Sequence, residues 1–256
     1  MSLNSIFPKN THDGIEAAAI IQRIDQALEI QREKEPLREY LGASRLNASC
    51  SRALQYEYLH TKKDANKKLT GKTIRIFDAG HVFESLMVQW LRQAGLTLVT
   101  EDDEGNPFGF SALEGRMKGH VDGVITGAPS DLPFSTPCLF EAKSLNASHW
   151  NNLAKKGVAL AMPVYAGQIA LYQAYMESSF PDISQHPALF VAINKNTAEL
   201  YLEWVPFNGR LAQDASDRGL RIVDACAAKE WLPRVSHDPH FFECKLCPYQ
   251  QRCWAH

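Results

Sequence analysis

The sequence lacks long apolar runs, a charge excess of either sign and a dense set of cysteines. No apolar segment approaches the roughly 18 residues of a membrane span, and the first ten residues lack the basic-then-apolar order of a secretion signal. We therefore expect a cytoplasmic protein with no membrane partner. A net charge of -2 argues against coating nucleic acid by bulk electrostatics. Six cysteines in a reducing compartment are not expected to form disulfides, so their spacing carries the information.

Helix-like and strand-like segments alternate in an order typical of α/β proteins. The 256 residues, 45% of them hydrophobic, suit one compact unit. Helical periodicity predicts helices over 14–34, 49–59, 74–94, 164–178 and 208–229. Apolar and β-branched runs bounded by Gly and Pro predict strands over 96–99, 108–113, 117–125, 138–142, 188–194 and 200–205. The predicted fold is α/β, a mixed central sheet flanked by helices, with residues 1–40 as a helical extension and 41–256 as one domain.

Two acids and a lysine meet in a predicted hairpin made of the segments GHVDGVI and LFEAK. Counting outward from the loop over 127–137 sets Asp122 opposite Glu141, with Cβ atoms about 4.5 to 5.5 Å apart. Two carboxylates at that distance repel each other unless a cation lies between them, and oxygen ligands suit Mg²⁺ or Mn²⁺. The backbone carbonyl of Ala142 is a candidate further ligand.

Lys143 follows Glu141 by two positions and therefore lies on the same face of the strand. Its ammonium group could orient an attacking water or offset charge that develops on a phosphate. The alternative is a surface salt bridge between Glu141 and Lys143, with Asp122 as an ordinary acid near a turn. The apolar stretch that leads into Glu141 favours the functional interpretation, because charged residues seldom end a buried strand without a role.

The C-terminal segment contains three cysteines in C-x2-C-x5-C spacing, namely Cys244, Cys247 and Cys253. A C-x2-C pair lets one turn present two sulfur atoms to one metal, so the segment predicts a metal site that needs a fourth ligand. His237 or His240 would complete a zinc site. Cys138 and Cys226 lie in apolar patterns and are predicted to be core residues.

The motif order G-H-x-x-E, D-x18-E-x-K and the terminal cysteines together resemble the PD-(D/E)XK nuclease superfamily. The similarity is greatest to its RecB-like branch, which includes CRISPR adaptation nucleases and phage exonucleases, and covers roughly residues 40 to 256. It implies a restriction-endonuclease-like core in which His81 is a metal ligand and Glu84, one turn later, touches the site. The first forty residues lie outside the pattern, and Val121 stands where the superfamily name has proline.

The resemblance also assigns roles to a Q-x-x-x-Y element and to the cysteines. It implies that Gln168 and Tyr172 hold the DNA backbone or brace Lys143, although their stripe on a helix could equally be a packing face. It further implies that Cys50 joins the three C-terminal cysteines to bind a structural 4Fe-4S cluster in a cysteine-clustered lobe, with zinc as the alternative occupant.

The function expected from these features is a DNA exonuclease or end-processing nuclease that uses Mn²⁺ or Mg²⁺. Its substrate would be single strands or frayed ends, in phage recombination, repair or CRISPR adaptation, with a recombination or adaptation protein as partner. Cations and aromatics that could grip a strand occur in one segment, at His149, Trp150, Lys155 and Lys156, although the two lysines could equally form a solvated helix end. The alternatives are a non-catalytic DNA-binding or assembly subunit and a zinc-stabilised interaction protein.

Overall fold

The computed structural model describes residues 12–255, and helices and strands alternate along them. The elements in chain order are α1 (His12–Glu33), β1 (Leu41–Gly42), α2 (Ser51–Tyr58), α3 (Gly71–Gln93), β2 (Thr97–Val99), β3 (Gly109–Ala112), β4 (Met117–His120), β5 (Gly123–Gly127), β6 (Cys138–Leu145), α4 (Ala147–Ala161), α5 (Pro163–Met176), β7 (Ala188–Asn194), β8 (Leu200–Val205), α6 (Gly209–Ala227), α7 (Phe242–Leu246) and α8 (Gln250–Trp254). The chain is therefore a mixed α/β protein.

The strands form two mixed sheets flanked by helices, rather than the single central sheet that was predicted. The larger sheet has the order β2-β5-β6-β7-β8, in which only β6 and β7 run parallel. The smaller sheet has the order β1-β4-β3, with β1 parallel to β4. The segment predicted as one strand over 117–125 forms two strands, β4 in the smaller sheet and β5 in the larger one.

That prediction of one strand was wrong, because the segment leaves the small sheet after His120 and enters the large one at Gly123. Between the two strands, the backbone amide of Val121 donates to the carbonyl of Phe108 at 3.0 Å. The alternation of buried and exposed side chains continues through the break, with Val121 buried and Asp122 partly exposed. A periodicity of two residues therefore could not reveal that the strand changes sheets.

Apolar side chains cover both faces of the large sheet. One face packs against α4 and α5 through residues that include Leu139, Phe190, Leu153, Ile169 and Leu171. The other face packs against α3 through residues that include Phe140, Ile125, Val191 and Met87. Because each such buried side chain contributes about 1.5 to 3 kcal/mol, these two layers fix the position of β6 between helices.

Helix α4 was not predicted as an element, although a helix end at Lys155 and Lys156 was considered. Asn146 caps the helix by accepting a hydrogen bond from the His149 amide at 2.9 Å. Gly157 interrupts it with a φ of 72°, and the carboxylate of Glu203 accepts from the Val158 amide at 2.8 Å. In the sequence, a glycine after two lysines is typical of a helix end.

Helix α1 packs against the N-terminal end of α3. The Gly71 amide donates to the Glu29 carboxylate at 2.7 Å, and Lys68 pairs with Glu33 at 3.0 Å. Residues 1–11, which belong to the predicted extension, lie outside the described residues. Along 12–255, no helix combines the length and the apolar character needed to cross a membrane.

Candidate active site

The hairpin of β5 and β6 has the register that counting from its loop predicts. Gly123 pairs with Phe140 and Val124 with Leu139, so one further step sets Asp122 opposite Glu141. The backbone amide of Ala142 donates to Asp122 Oδ2 at 2.8 Å. This bond ties the carboxylate that precedes β5 to the middle of β6.

Glu141 is fully buried, and only one of its two carboxylate oxygens has hydrogen-bond partners among the described residues. Its Oε1 accepts a hydrogen bond from Gln168 Nε2 at 2.7 Å and another from Lys143 Nζ. Its Oε2 is buried without a hydrogen-bond partner among residues 12–255. A buried carboxylate oxygen with no donor is costly, so the residue fits a site where a cation approaches that oxygen.

Lys143 supplies the positive charge between the acids. Its Nζ donates to the carbonyl of Ala142 at 2.8 Å, contacts Glu141 and lies 3.7 Å from Asp122 Oδ2. It also lies 5.1 Å from the ring centroid of Tyr165 on α5. The predicted convergence of two acids and an amine is therefore present in the structure, and Tyr165 is a further wall of the site.

The pKa values of the acids reflect this crowding. Burial, followed by the charge of Asp122, raises the pKa of Glu141 to about 8, although Lys143 opposes the shift. Burial alone would lower the pKa of Lys143, but Glu141 and Asp122 outweigh burial and raise it. At neutral pH Lys143 is therefore charged and Glu141 carries a proton. A divalent cation could take the place of the lysine ammonium and of this proton.

Helix α3 brings a third acid towards the site. Burial and the charge of Asp122 raise the pKa of Glu84, with Lys143 and His81 opposing the shift. His81 lies with its Nδ1 3.8 Å from Glu84 Oε2, and its side chain is 79% exposed. The close approach of α3 to β6 occurs at Gly80, where an added Cβ would lie 3.7 Å from Ser144 Oγ. Glu84 is thus within the field of the acids, and His81 lies on its solvent side.

Helix α5 closes the buried side. Gln168 is 5% exposed and makes the bond to Glu141 described above. Tyr172 is buried, forms a side-chain hydrogen bond with Ser44 and packs edge-on against Phe110 at 5.7 Å. Burial, followed by the charge of Glu141, raises the pKa of Tyr172. Of the two residues predicted on this helix, Gln168 therefore contacts an acid directly, whereas Tyr172 packs against Phe110.

The cations and aromatics of α4 do not form one cluster. Lys155, Lys156 and His149 are exposed, and the amide and ring of His149 contact the capping Asn146. Trp150 packs partly buried against the core, and its Nε1 is buried with no hydrogen-bond partner in the described part of the chain. A base stacked on Trp150 would have to displace core contacts.

Four cysteines from distant parts of the chain line one cavity. They are Cys50 at the start of α2, Cys244 in α7, Cys247 after it and Cys253 in α8. Burial raises the pKa of Cys244 and Cys247, and the neighbouring cysteines add to the shift. His237 and His240 are not among the residues that line the cavity. Over the described residues, no three His, Cys, Asp or Glu side chains converge closely enough to hold a single metal ion.

Arg218 beside this cavity was not anticipated from the sequence. Its Nε donates to Ser51 Oγ at 3.1 Å, next to Cys50, and its Nη2 is buried with no hydrogen-bond partner within residues 12–255. Burial lowers the pKa of Arg218, whereas the charge of Cys50 opposes that shift. A buried cation fits an anionic neighbour. A single arginine on the polar side of α6 gives no signal in the sequence.

No protein-family model and no curated protein sequence matches this chain. Among solved structures, the protein SSO0001 aligns at 14% identity and a TM-score of 0.48, covering 93% of this chain and 97% of that one. An alkaline exonuclease from Laribacter hongkongensis, LHK-Exo, aligns at 13% identity and a TM-score of 0.47, covering 74% and 89%. Its complex with dAMP aligns at 11% and 0.45, with the same coverage.

Proposed function

We propose that this chain is a metal-dependent deoxyribonuclease of the PD-(D/E)XK type, with a restriction-endonuclease-like core and related to the RecB-like branch. It would act as an exonuclease or end-processing nuclease on single strands or frayed ends. The observation that carries the proposal is the buried Glu141, whose Oε2 has no hydrogen-bond donor within residues 12–255. Lys143 contacts the other oxygen of Glu141 and also lies near Asp122. Structural salt bridges seldom leave a buried carboxylate oxygen unpaired.

Each residue of the site has a defined task in this proposal. Asp122, Glu141 and the carbonyl of Ala142 would hold Mn²⁺ or Mg²⁺, which supplies Lewis-acid chemistry at the scissile phosphate. His81, which lies exposed beside Glu84, would have to turn inward from α3 to join them. Gln168 occupies Glu141 Oε1 and thereby leaves Oε2 for the ion. Lys143 would then turn its ammonium from the acids towards the attacking water or the phosphate oxygens, where negative charge develops.

The test is cleavage of DNA that is labelled separately at each end, in single-stranded and double-stranded form. Wild type should shorten the DNA in Mg²⁺ or Mn²⁺ and not in EDTA, and Glu141→Gln should abolish cleavage. Glu114→Gln is the matched control, because Glu114 has an 88% exposed side chain in a surface turn. A wild-type protein that binds DNA but never cuts it would support a non-catalytic DNA-binding subunit instead.

We also propose that the cysteine cavity holds a 4Fe-4S cluster bound by Cys50, Cys244, Cys247 and Cys253. A cluster takes each thiolate on a different iron atom, so thiols spread around one cavity suit it better than a single zinc ion. The Nη2 of the half-buried Arg218, itself buried and without a hydrogen-bond partner along residues 12–255, suits an anionic occupant as well. Zinc remains the competing occupant, and would favour an interaction protein if DNA cleavage were also absent.

Analysis of iron and acid-labile sulfide in protein purified without oxygen tests the cluster. The expected result is a brown protein that contains iron and sulfide in equal amounts and loses both in Cys50→Ser. His240→Ala is the control, since His240 does not line the cavity. A colourless protein that contains zinc would contradict the cluster without affecting the nuclease proposal.

A further inference from the structure

Two cations are held on one aromatic ring at the edge of the small sheet. Arg38 Cζ lies 5.2 Å and Lys118 Nζ 5.3 Å from the ring centroid of Tyr40. Gly42 makes room for the arginine, because a Cβ added there would lie 2.6 Å from Arg38 Nη1. The ring therefore contacts both cations, and the glycine leaves room for the arginine. We call Arg38, Tyr40 and Lys118 the cation clamp.

The cation clamp lies on a strand that leads to the proposed active site. Gly42 of β1 pairs with Lys118 of β4, and two and four residues later come His120 and Asp122. Lys118 is partly buried and His120 exposed, while Met117 and Gly119 are buried, so Lys118 and His120 share the more exposed face of β4, and Asp122 follows with a partly exposed side chain. Four residues of extended chain span at most about 14 Å. The cation clamp is therefore within a few nucleotides of the acids.

No carboxylate among residues 12–255 forms an ion pair with the two cations of the cation clamp. Along residues 12–255, neither Arg38 nor Lys118 lies within ion-pair distance of a carboxylate, whereas the nearby Arg116 pairs with Glu114 at 3.4 Å. Arg38 is exposed and Lys118 half-buried, so both can meet a ligand. Two cations that contact one aromatic ring suit a repeating anion such as the phosphates of nucleic acid.

We propose that the cation clamp binds the sugar-phosphate backbone of the DNA strand whose scissile bond lies at Asp122 and Glu141. This inference rests on the proposed nuclease function and names the path of its substrate. The strand would run along the exposed face of β4, past His120, into the site. A net charge of -2 for the whole chain is compatible with this path, because the positive charge is concentrated at one end of it.

The test measures binding of fluorescently labelled single-stranded DNA without divalent metal at several salt concentrations. Removing one phosphate contact from a single strand lowers the slope of log K against log salt by about 0.7, so Arg38→Ala and Lys118→Ala should each do so, and the double variant by about 1.4. Arg116→Ala removes the same charge from a paired arginine and should leave the slope unchanged. Tyr40→Phe keeps the ring and both charges and should retain binding.

The outcomes separate this inference from the nuclease proposal. If wild type binds and cuts DNA while Arg38→Ala and Lys118→Ala keep its salt slope, the path is overturned and the nuclease proposal stands. If wild type neither binds nor cuts any DNA, both are overturned. Equal loss in Arg116→Ala and Lys118→Ala would indicate diffuse attraction and would also overturn the cation clamp. Because the cations lie at the surface, thermal unfolding of each variant should match that of wild type.

Discussion

Raising the pH should strengthen the binding of a divalent cation at Glu141 while it weakens the metal-free fold. The pKa of Glu141 is raised to about 8 by burial and by Asp122, above its ordinary value of 4.5. Between these two values the folded chain holds a proton on Glu141 that the unfolded chain has released. Stability of the metal-free protein therefore falls as the pH rises through this window. A metal ion must displace the same proton, so its apparent affinity rises over the window.

The size of the effect follows from one proton released per ion bound. Each pH unit below the pKa of Glu141 then changes the apparent metal affinity about tenfold, equivalent to about 1.4 kcal/mol. From about pH 6 to about pH 8, where the acid becomes half ionised, the affinity should rise by about 50-fold. At a fixed metal concentration above the dissociation constant, the contribution of the bound ion to the free energy of unfolding therefore rises by about 2.3 kcal/mol, which offsets the loss of stability of the metal-free fold.

Thermal unfolding in MnCl2 and in EDTA, recorded across this pH range, measures both trends in one experiment. The gap between the two melting temperatures should widen with pH for wild type and for Glu114→Gln. In Glu141→Gln the gap should be small at every pH, because the amide neither binds a cation well nor titrates. Metal stabilisation that is large and independent of pH, or that persists in Glu141→Gln, would refute the assignment of Glu141 as the titrating ligand.

Three further predictions concern neighbouring residues. Lys143→Met should lower the single-turnover cleavage rate by about 10² to 10³ while calorimetry shows that metal binding is retained, since the amine acts on the reacting phosphate. Gln168→Leu removes the donor to Glu141 Oε1 and should weaken metal affinity about 10- to 100-fold in the same titration, with Gln173→Leu as a stability control that lies away from the acids. Cys50→Ser should lose iron and sulfide and melt at a lower temperature, as followed by circular dichroism.

The hairpin could be predicted because its information is local. An antiparallel pair repeats every two residues, and its loop lies between two short apolar runs, so counting alone set Asp122 opposite Glu141. The helices over 164–178 and 208–229 were predicted within two residues of α5 and α6, because their apolar positions recur over several turns.

Other features depend on contacts between distant residues and left no local pattern. The break at Val121 keeps the alternation of a single strand, and the kink of α4 at Gly157 is held by Glu203 from β8. The cation on Tyr40 comes from Lys118, nearly eighty residues later, across a parallel strand pair. Sequence patterns describe neighbours along the chain, whereas these arrangements are set by packing between elements.

The cysteine cavity and the acids can fail separately, because different contacts hold them. The C-terminal segment is attached to α2 by Gln55, whose side chain bonds the carbonyl of Glu230 and the amide of Leu232 at 2.8 Å each. Asp64 accepts from the Gln251 amide at 2.7 Å. None of these bonds involves the hairpin, which is fixed by the two apolar layers around β6. Loss of a cluster would therefore loosen the chain ends first, and cleavage per folded molecule should persist at low temperature.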